Sequence, residues 1–254
     1  MRVYPPDCYH GPMVWEPRTY RHVVDASGLV ASAVTLGETD LQVLTRRDLS
    51  DDALRTVEIL RYDLQRYLAL HPRFAESYVP VAVEADAPEM VRAMATAAEA
   101  AGCGPMAAVA GAIAERVARA LEPSSAEVIV ENGGDIFLIG HAPRRVLLVA
   151  GDSPLSGRVA LALDADACPV AVCTSSGKVG HSVSLGSAHA ATVIATDGAL
   201  ADAVATALGN RVHGQDDLER ALAWACGVPG IRGAVVIAGD AIGARGDVRL
   251  EPVG

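Results

Sequence analysis

Asp202 and Thr206 stand one helical turn apart in a segment, Gly198 to Leu208, whose apolar residues recur with helical spacing. A carboxylate and a hydroxyl at that spacing project from one helix face. Together they can hold a hard cation such as Mg²⁺, which takes oxygen ligands and keeps several waters. Leu200, Val204 and Leu208 are offset by two residues, so the polar pair is expected to face away from the densest packing. The bland alternative is a solvated helix face. A second candidate is the run Thr174, Ser175, Ser176, Gly177, Lys178, Val179, Gly180, His181 and Ser182, which follows a predicted strand. Hydroxyls, glycines and a lysine can present donors to phosphate or carboxylate, and His181 is a candidate acid–base group. The glycine–lysine spacing is not that of a P-loop, and a hydrophilic turn is the alternative. Third, Glu131, Asn132, Gly133, Gly134 and Asp135 place two carboxylates around a turn whose glycines admit a ligand close to the backbone. An ordinary hairpin would use the same residues.

The cysteines carry less. Cys168 and Cys173 are five apart in apparent strand, so they point to opposite faces and cannot jointly chelate. Cys103 precedes a helix start at Gly104-Pro105, where a thiol pKa is expected to fall; a buried, inert thiol is the alternative. Zinc spacing, a readable Ser-His-Asp arrangement and a dinucleotide fingerprint are all missing from the sequence.

The elements that must position these residues read as an α+β fold with largely antiparallel sheets and packed helices. Residues 1–22 form an irregular, Pro- and Tyr-rich arm, and 23–254 a single domain. Strands are expected at Val23–Val30 and Ala33–Leu44, the second running through Gly37-Glu38-Thr39-Asp40. Ser50 reads as an N-cap, followed by the apolar stripe Leu54, Val57, Leu60, Leu64 and Leu68 up to His71-Pro72. Helices follow from Pro88 and Pro105, the latter rich in small residues around Gly111. Further strands are expected at Glu127–Glu131, Ile136–Ile139, Arg145–Ala150, Val159–Leu163, Val170–Thr174 and Ala191–Ala195. Asp216–Cys226 reads as a helix, and Gly233–Ile237 with Val248–Glu251 as a closing strand pair.

With 51% hydrophobic residues the chain can bury a sizeable core. It has no long apolar run and no apolar leader, which argues against a membrane partner and a secretory signal. Five cysteines in such a chain suggest reduced thiols and a cytoplasmic location. The net charge of −10 disfavours nucleic acid as a partner, and two Phe with two Trp leave little for base stacking. An anionic small-molecule ligand is still compatible through local amides and a metal. Of 21 basic residues only Lys178 is a lysine.

In order along the chain, Glu38-Thr39-Asp40-Leu41, His71-Pro72-Arg73-Phe74, Gly104-Pro105-Met106 through Gly111, Glu131 to Asp135, Thr174 to Gly177 with Gly180-His181-Ser182, and Ala201-Asp202-Ala203 through Gly209-Asn210 resemble the ApbE-like uncharacterised protein family 0280. The resemblance runs from about Arg18 to Leu250. It implies an ApbE-like, T-fold-related architecture. Related ApbE flavin transferases take FMN from FAD and attach it to Thr or Ser with Mg²⁺, using an Asp-Ala-x-Ala-Thr helix that Asp202-Ala203-Val204-Ala205-Thr206 matches. By the same resemblance, Glu131–Asp135 and Thr174–Gly177 correspond to the flavin pocket and its Thr-Ser-Gly turn.

Two departures fall on the substrate side. The region matching the transferases' Ala-Lys-Gly-Tyr, Val109-Ala110-Gly111-Ala112-Ile113, has no lysine. Their His-Ile-x-Asp-Pro-x-Thr-Gly stretch shrinks to Gly180-His181-Ser182 and Ser184-Leu185-Gly186. The expectation is a Mg²⁺-dependent enzyme or binding protein for a flavin (FAD or FMN) or another phosphate-bearing molecule. The site would comprise Asp202 and Thr206 at the metal, Glu131–Asp135 and Thr174–Lys178 at the ligand, and His181 and Cys103 as reactive groups. Two alternatives stand beside it: an enzyme of sulfur assimilation forming homocysteine from aspartate semialdehyde, with Cys103 or Cys173 carrying sulfur, and a non-catalytic metabolite-binding subunit. Small-residue helices and the N-terminal arm suggest a homo-oligomer.

Overall fold

Alternating apolar residues of the central strands are buried on both sides, which requires a sheet covered on each face. The computed structural model describes residues 27–176 and 186–253. Eight strands form one antiparallel sheet in the order β1 (Val30–Leu36), β2 (Thr39–Thr45), β3 (Val128–Asn132), β4 (Asp135–Ile139), β7 (Val170–Ser175), β8 (Ala190–Ala195), β9 (Ile231–Ala238) and β10 (Ala241–Gly246). A smaller sheet, β11 (Leu250–Pro252), β6 (Val159–Leu163) and β5 (Arg144–Leu147), covers one face. Helices α1 (Ser50–Leu70), α2 (Pro72–Glu76), α3 (Glu89–Ala101), α4 (Val109–Leu121), α5 (Gly198–Gly209) and α6 (Leu218–Gly227) complete the fold. The strand period of two separates the cores. Val130, Phe137, Cys173, Val193 and Val236 join the helix-side core; Ile129, Leu138, Val172, Ile194 and Val235 join the core beneath the small sheet.

Because neighbouring strands alternate in direction, the β1–β2, β3–β4, β7–β8 and β9–β10 connections gather at one end of the large sheet. The β3–β4 turn is the expected one. Asn132 pairs with Asp135 across Gly133 and Gly134, whose φ values of 68° and 106° suit glycine. The first hairpin differs from expectation. Residues 23–26 of the first expected strand lie outside the described residues, and the second, Ala33–Leu44, is not one strand: the chain reverses at Gly37 (φ 57°), so Ala33 lies in β1 and Asp40 in β2. Ser50 is already helical, and its N–H is met by Asp48 Oδ1 at 2.9 Å instead of Ser50 capping α1. The closing strand pair also differs. β9 pairs with β10, a strand of small and charged residues with weak propensity, while β11 joins the other sheet.

Helices α4 and α5 cross on the sheet with unusual intimacy. A Cβ on Gly111 would lie 2.2 Å from the Gly198 carbonyl oxygen, and one on Gly198 2.4 Å from that of Gly111. The small residues of α4 thus serve a contact within the chain. Gly198→Ala is expected to cost about 1–3 kcal/mol or more through overpacking. Gly227→Ala, where an added Cβ meets nothing within 4 Å, should stay within about 0.5 kcal/mol. Equal denaturation midpoints for the two variants would contradict this reading of the crossing.

Candidate functional site

The close approach of α4 and α5 brings each helix a side-chain cap from the other. The four leading N–H groups of a helix lack intrahelical partners and carry its positive dipole end. Asp202 Oδ2 on α5 accepts the Gly111 N–H of α4 at 2.9 Å, and Glu115 Oε2 on α4 accepts the Gly198 N–H of α5 at 2.7 Å. Glu115 also holds Arg119 Nε at 2.8 Å, so its charge is paired. Asp202 has no cationic partner among the described residues. The expectation that Asp202 faces away from dense packing is therefore corrected: its side is buried against α4, and only Thr206, one turn on, is half-exposed. Glu115 was not singled out in the sequence. Its one legible signal is an acidic residue among small apolar ones.

Asp135, first residue of β4, shares the helix-side face with Phe137 and is paired in the sheet with Cys173. It is 7% exposed, and its Oδ1 has no hydrogen-bond partner among the described residues. Burial pushes its pKa well above the usual carboxylate range, and the charge of Asp202 adds to that; the Cys173 thiol and the Thr174 amide pull the other way. Burial raises Asp202 to about 7 against the pull of the Gly111 and Ala110 amides. Asp135 and Asp202 thus form a buried acidic pair beside the glycine turn.

The rest of the glycine turn is anchored to its neighbours. Glu131 Oε1 accepts the Gly134 N–H at 2.8 Å, and Asn132 Nδ2 donates to the Ala110 carbonyl at 3.1 Å. Gly134 lies against Thr174, whose carbonyl oxygen would be 3.5 Å from a Cβ. Thr174 Oγ1 and Thr192 Oγ1 are 2.9 Å apart, and Ser176 Oγ donates to the His189 carbonyl at 2.7 Å. Ser175 Oγ approaches Gly209 at the end of α5. The structure therefore gathers Glu131–Asp135, Thr174–Ser176 and Asp202 around one end of the sheet. Gly177, Lys178, His181 and Ser182 lie outside the described residues. His189, which sequence reasoning passed over, sits at the start of β8. It accepts the Gly239 N–H on Nδ1 at 3.0 Å, which leaves Nε2, 3.2 Å from Asp152 Oδ1, to carry the proton.

Cys103 does not show the lowered pKa expected at a helix start. Burial, with the nearby Asp202 charge, pushes it up to about 11, and its Sγ lies 3.8 Å from the Ala203 carbonyl oxygen. Burial and the same two carboxylates push Cys173 up as well. Both are held as thiols, which disfavours them as sulfur carriers. Cys168 precedes β7 and packs toward the other core, so the two do not converge, as expected. Among the described residues no three His, Cys, Asp or Glu side chains converge to hold a metal. A cation here would need hydroxyl, ligand or water oxygens. Nor is any single described helix long and apolar enough to cross a membrane. Two shallow cavities of about 280 Å³, one between α1, α3 and α4 and the other between α3 and α5, contain none of the candidate residues.

A family profile described as "AbpE bacteria" matches residues 21–230. The UPF0280 protein of Methanopyrus kandleri is 45% identical over 222 residues, covering 84% of this chain and 89% of that protein. The UPF0280 protein of Methanocaldococcus jannaschii is 45% identical over 193 residues, covering 74% and 78%. The fold is similar to that of the ApbE protein of Thermotoga maritima (TM-score 0.59, 13% identity, 86% of this chain and 97% of that one). It is also similar to the flavinyl transferase ApbE of Pseudomonas stutzeri, apo form (0.55, 17%, 86% and 94%).

The raised carboxylates fix the sign of a pH effect. A group whose folded pKa is raised contributes stability that is complete below its unfolded value, here 3.8, and lost as pH rises through the folded value of about 7. For Asp202 that is on the order of 4 kcal/mol. In buffer free of divalent cations, the protein should lose stability between these two pH values. Asp135→Asn should flatten that decline and melt higher than wild type on the alkaline side. Parallel melting curves for the two proteins would refute the buried acidic pair.

Proposed function

The chain belongs to the ApbE-like uncharacterised protein family 0280, and from that premise we propose that it is a magnesium-dependent enzyme or binding protein acting on a flavin or another phosphate-bearing small molecule. One observation carries this reading. Asp135 and Asp202 are buried within each other's field, and among the described residues no cationic side chain pairs with either and Asp135 Oδ1 has no hydrogen-bond partner. Two uncompensated carboxylates are costly to bury unless protonated or matched by a cation.

The donors fit Mg²⁺ by chemistry, being carboxylate and hydroxyl oxygens. Asp202 and Thr206 would hold the ion, with Asp135 facing it. Bound there, Mg²⁺ would neutralise the charge of a diphosphate. The residues of this chain supply the remainder. Gly133 and Gly134 keep the β3–β4 turn free of side chains, so a ligand can approach the backbone. Glu131 fixes that turn through the Gly134 N–H. Thr174, Ser175 and Ser176 offer hydroxyls along the same rim, Gly177 and Lys178, next in the sequence, would add further ligand contacts, and His181 would serve as acid–base group. A cytoplasmic location and assembly through the N-terminal arm complete the proposal.

Calorimetry with MgCl₂ and FAD tests it. Wild type should bind FAD in a Mg²⁺-dependent manner, and Asp202→Ala should abolish the Mg²⁺ dependence. Because Asp202 also caps α4, Thr206→Val provides a second variant that leaves the cap in place; it should weaken Mg²⁺ binding roughly tenfold, the loss expected of one charge-assisted contact. The proposal is sunk if the wild type binds neither, or if both variants titrate like it.

A further inference from the structure

Beyond Thr206, α5 ends in a tight turn in which the Arg211 N–H reaches the Leu208 carbonyl at 3.0 Å and the Val212 N–H that of Gly209 at 3.2 Å. The turn delivers the Arg211 side chain back along the helix, where Nη1 donates to the Ala207 carbonyl at 2.7 Å. Its guanidinium lies 3.5 Å above the centre of the Trp224 ring, on α6. A planar guanidinium stacked on an indole is held in one orientation, with its N–H fork directed outward in its own plane.

That fork is underused. Several arginines on this chain meet a carboxylate: Arg55 with Asp52, Arg61 with Glu38, Arg119 with Glu115, Arg144 with Glu127. Arg211 is half-buried and meets none among the described residues, where one backbone carbonyl is its single acceptor. A cation at a helix C-terminus is favoured by the dipole, which accounts for one N–H out of five. Its surroundings adjoin the candidate site. Ala203 and Ala207, the latter bonded by Arg211, form one helical row next to that of Asp202 and Thr206. Cys103 contacts the Ala203 carbonyl and lies within reach of both the Asp202 and the Arg211 charges.

We propose that Arg211, fixed on Trp224, is an anion-recognition residue that takes phosphate oxygens of a ligand at the edge of the Asp202–Thr206 cleft. The inference rests on the proposed cation site for its location, since a cation there would offset the repulsion between an anion and the two carboxylates. The guanidinium itself supplies the second, fixed positive charge and a bidentate geometry suited to phosphate. The residue falls after the Asp202-to-Thr206 motif, so the family resemblance does not assign it.

Trp224 reports the event directly. With Trp15→Phe as background, indole emission is followed while inorganic pyrophosphate is added, with and without MgCl₂. Saturable change is expected, tighter with MgCl₂. Arg211→Gln should weaken it roughly tenfold or more, the loss expected for charge-assisted bonds, while calorimetric Mg²⁺ binding stays as in wild type. Arg211→Lys, which retains charge but not the fork, should fall between. A merely structural Arg211 would lower the melting temperature of Arg211→Gln and leave its pyrophosphate titration unchanged, which overturns the proposal, as does the absence of saturable change in the background protein. Pyrophosphate binding that depends on Arg211 in a protein that fails to bind Mg²⁺ would uphold this inference and remove the cation site.

Discussion

Gly111 and Gly198 let α4 and α5 approach until the backbone of each occupies the space a side chain of the other would need. At that distance two helix N-termini are buried, and their unpaired N–H groups require acceptors that water cannot supply. Asp202 and Glu115 provide them in reciprocal fashion. The exchange ties α4, which lies on β3 and β4, to α5, which lies on β7 and β8. The glycine turn and the Thr174 rim therefore keep a fixed relation to Asp202.

The same constraint creates the electrostatic problem at the site. Glu115 is relieved by Arg119, whose guanidinium also lies 5.2 Å from the centre of the Phe137 ring. Asp202 receives only backbone amides, and Asp135 is placed beside it by strand register. A capping interaction can hold a carboxylate in place without neutralising it. One acidic side chain thus carries a structural duty and a residual demand for positive charge. This is why, on the proposed function, substitution of Asp202 alone would not separate folding from ligand binding, whereas substitution of Thr206, which makes no cap, would.

Much of this was legible in the sequence, and the limits have physical causes. The α+β class, the Asn132-Gly133-Gly134-Asp135 hairpin, α5 and most central strands follow from periodicity and turn chemistry, because those signals are local. β10 escaped because Ala241–Gly246 pairs through its backbone while offering little apolar pattern. The first hairpin is displaced from its expected place because Gly37 sits inside an otherwise apolar stretch, where its turn role shows only in its positive φ. Asp202 was found by spacing but its burial was misjudged. The row opposite its apolar neighbours is covered by α4, and only tertiary contact shows that. Glu115 and Arg211 escaped for the same reason: their roles depend on a partner helix far away in sequence.

The charge balance connects these threads. The chain carries a net charge of −10, and its cleft places Asp135 and Asp202 where Glu131 adds to the raising of Asp135. Such a field repels an anion, so on the proposed function recognition of a phosphate-bearing ligand would come from local donors and not from the global charge. The available local donors are the backbone of Gly133 and Gly134, the Thr174–Ser176 hydroxyls and the stacked guanidinium of Arg211. None of these neutralises the acidic pair itself. A hard cation between the carboxylates and the anion would meet both demands at once, lowering the cost of burying the pair and converting a repulsive cleft into one that selects anions able to bridge it.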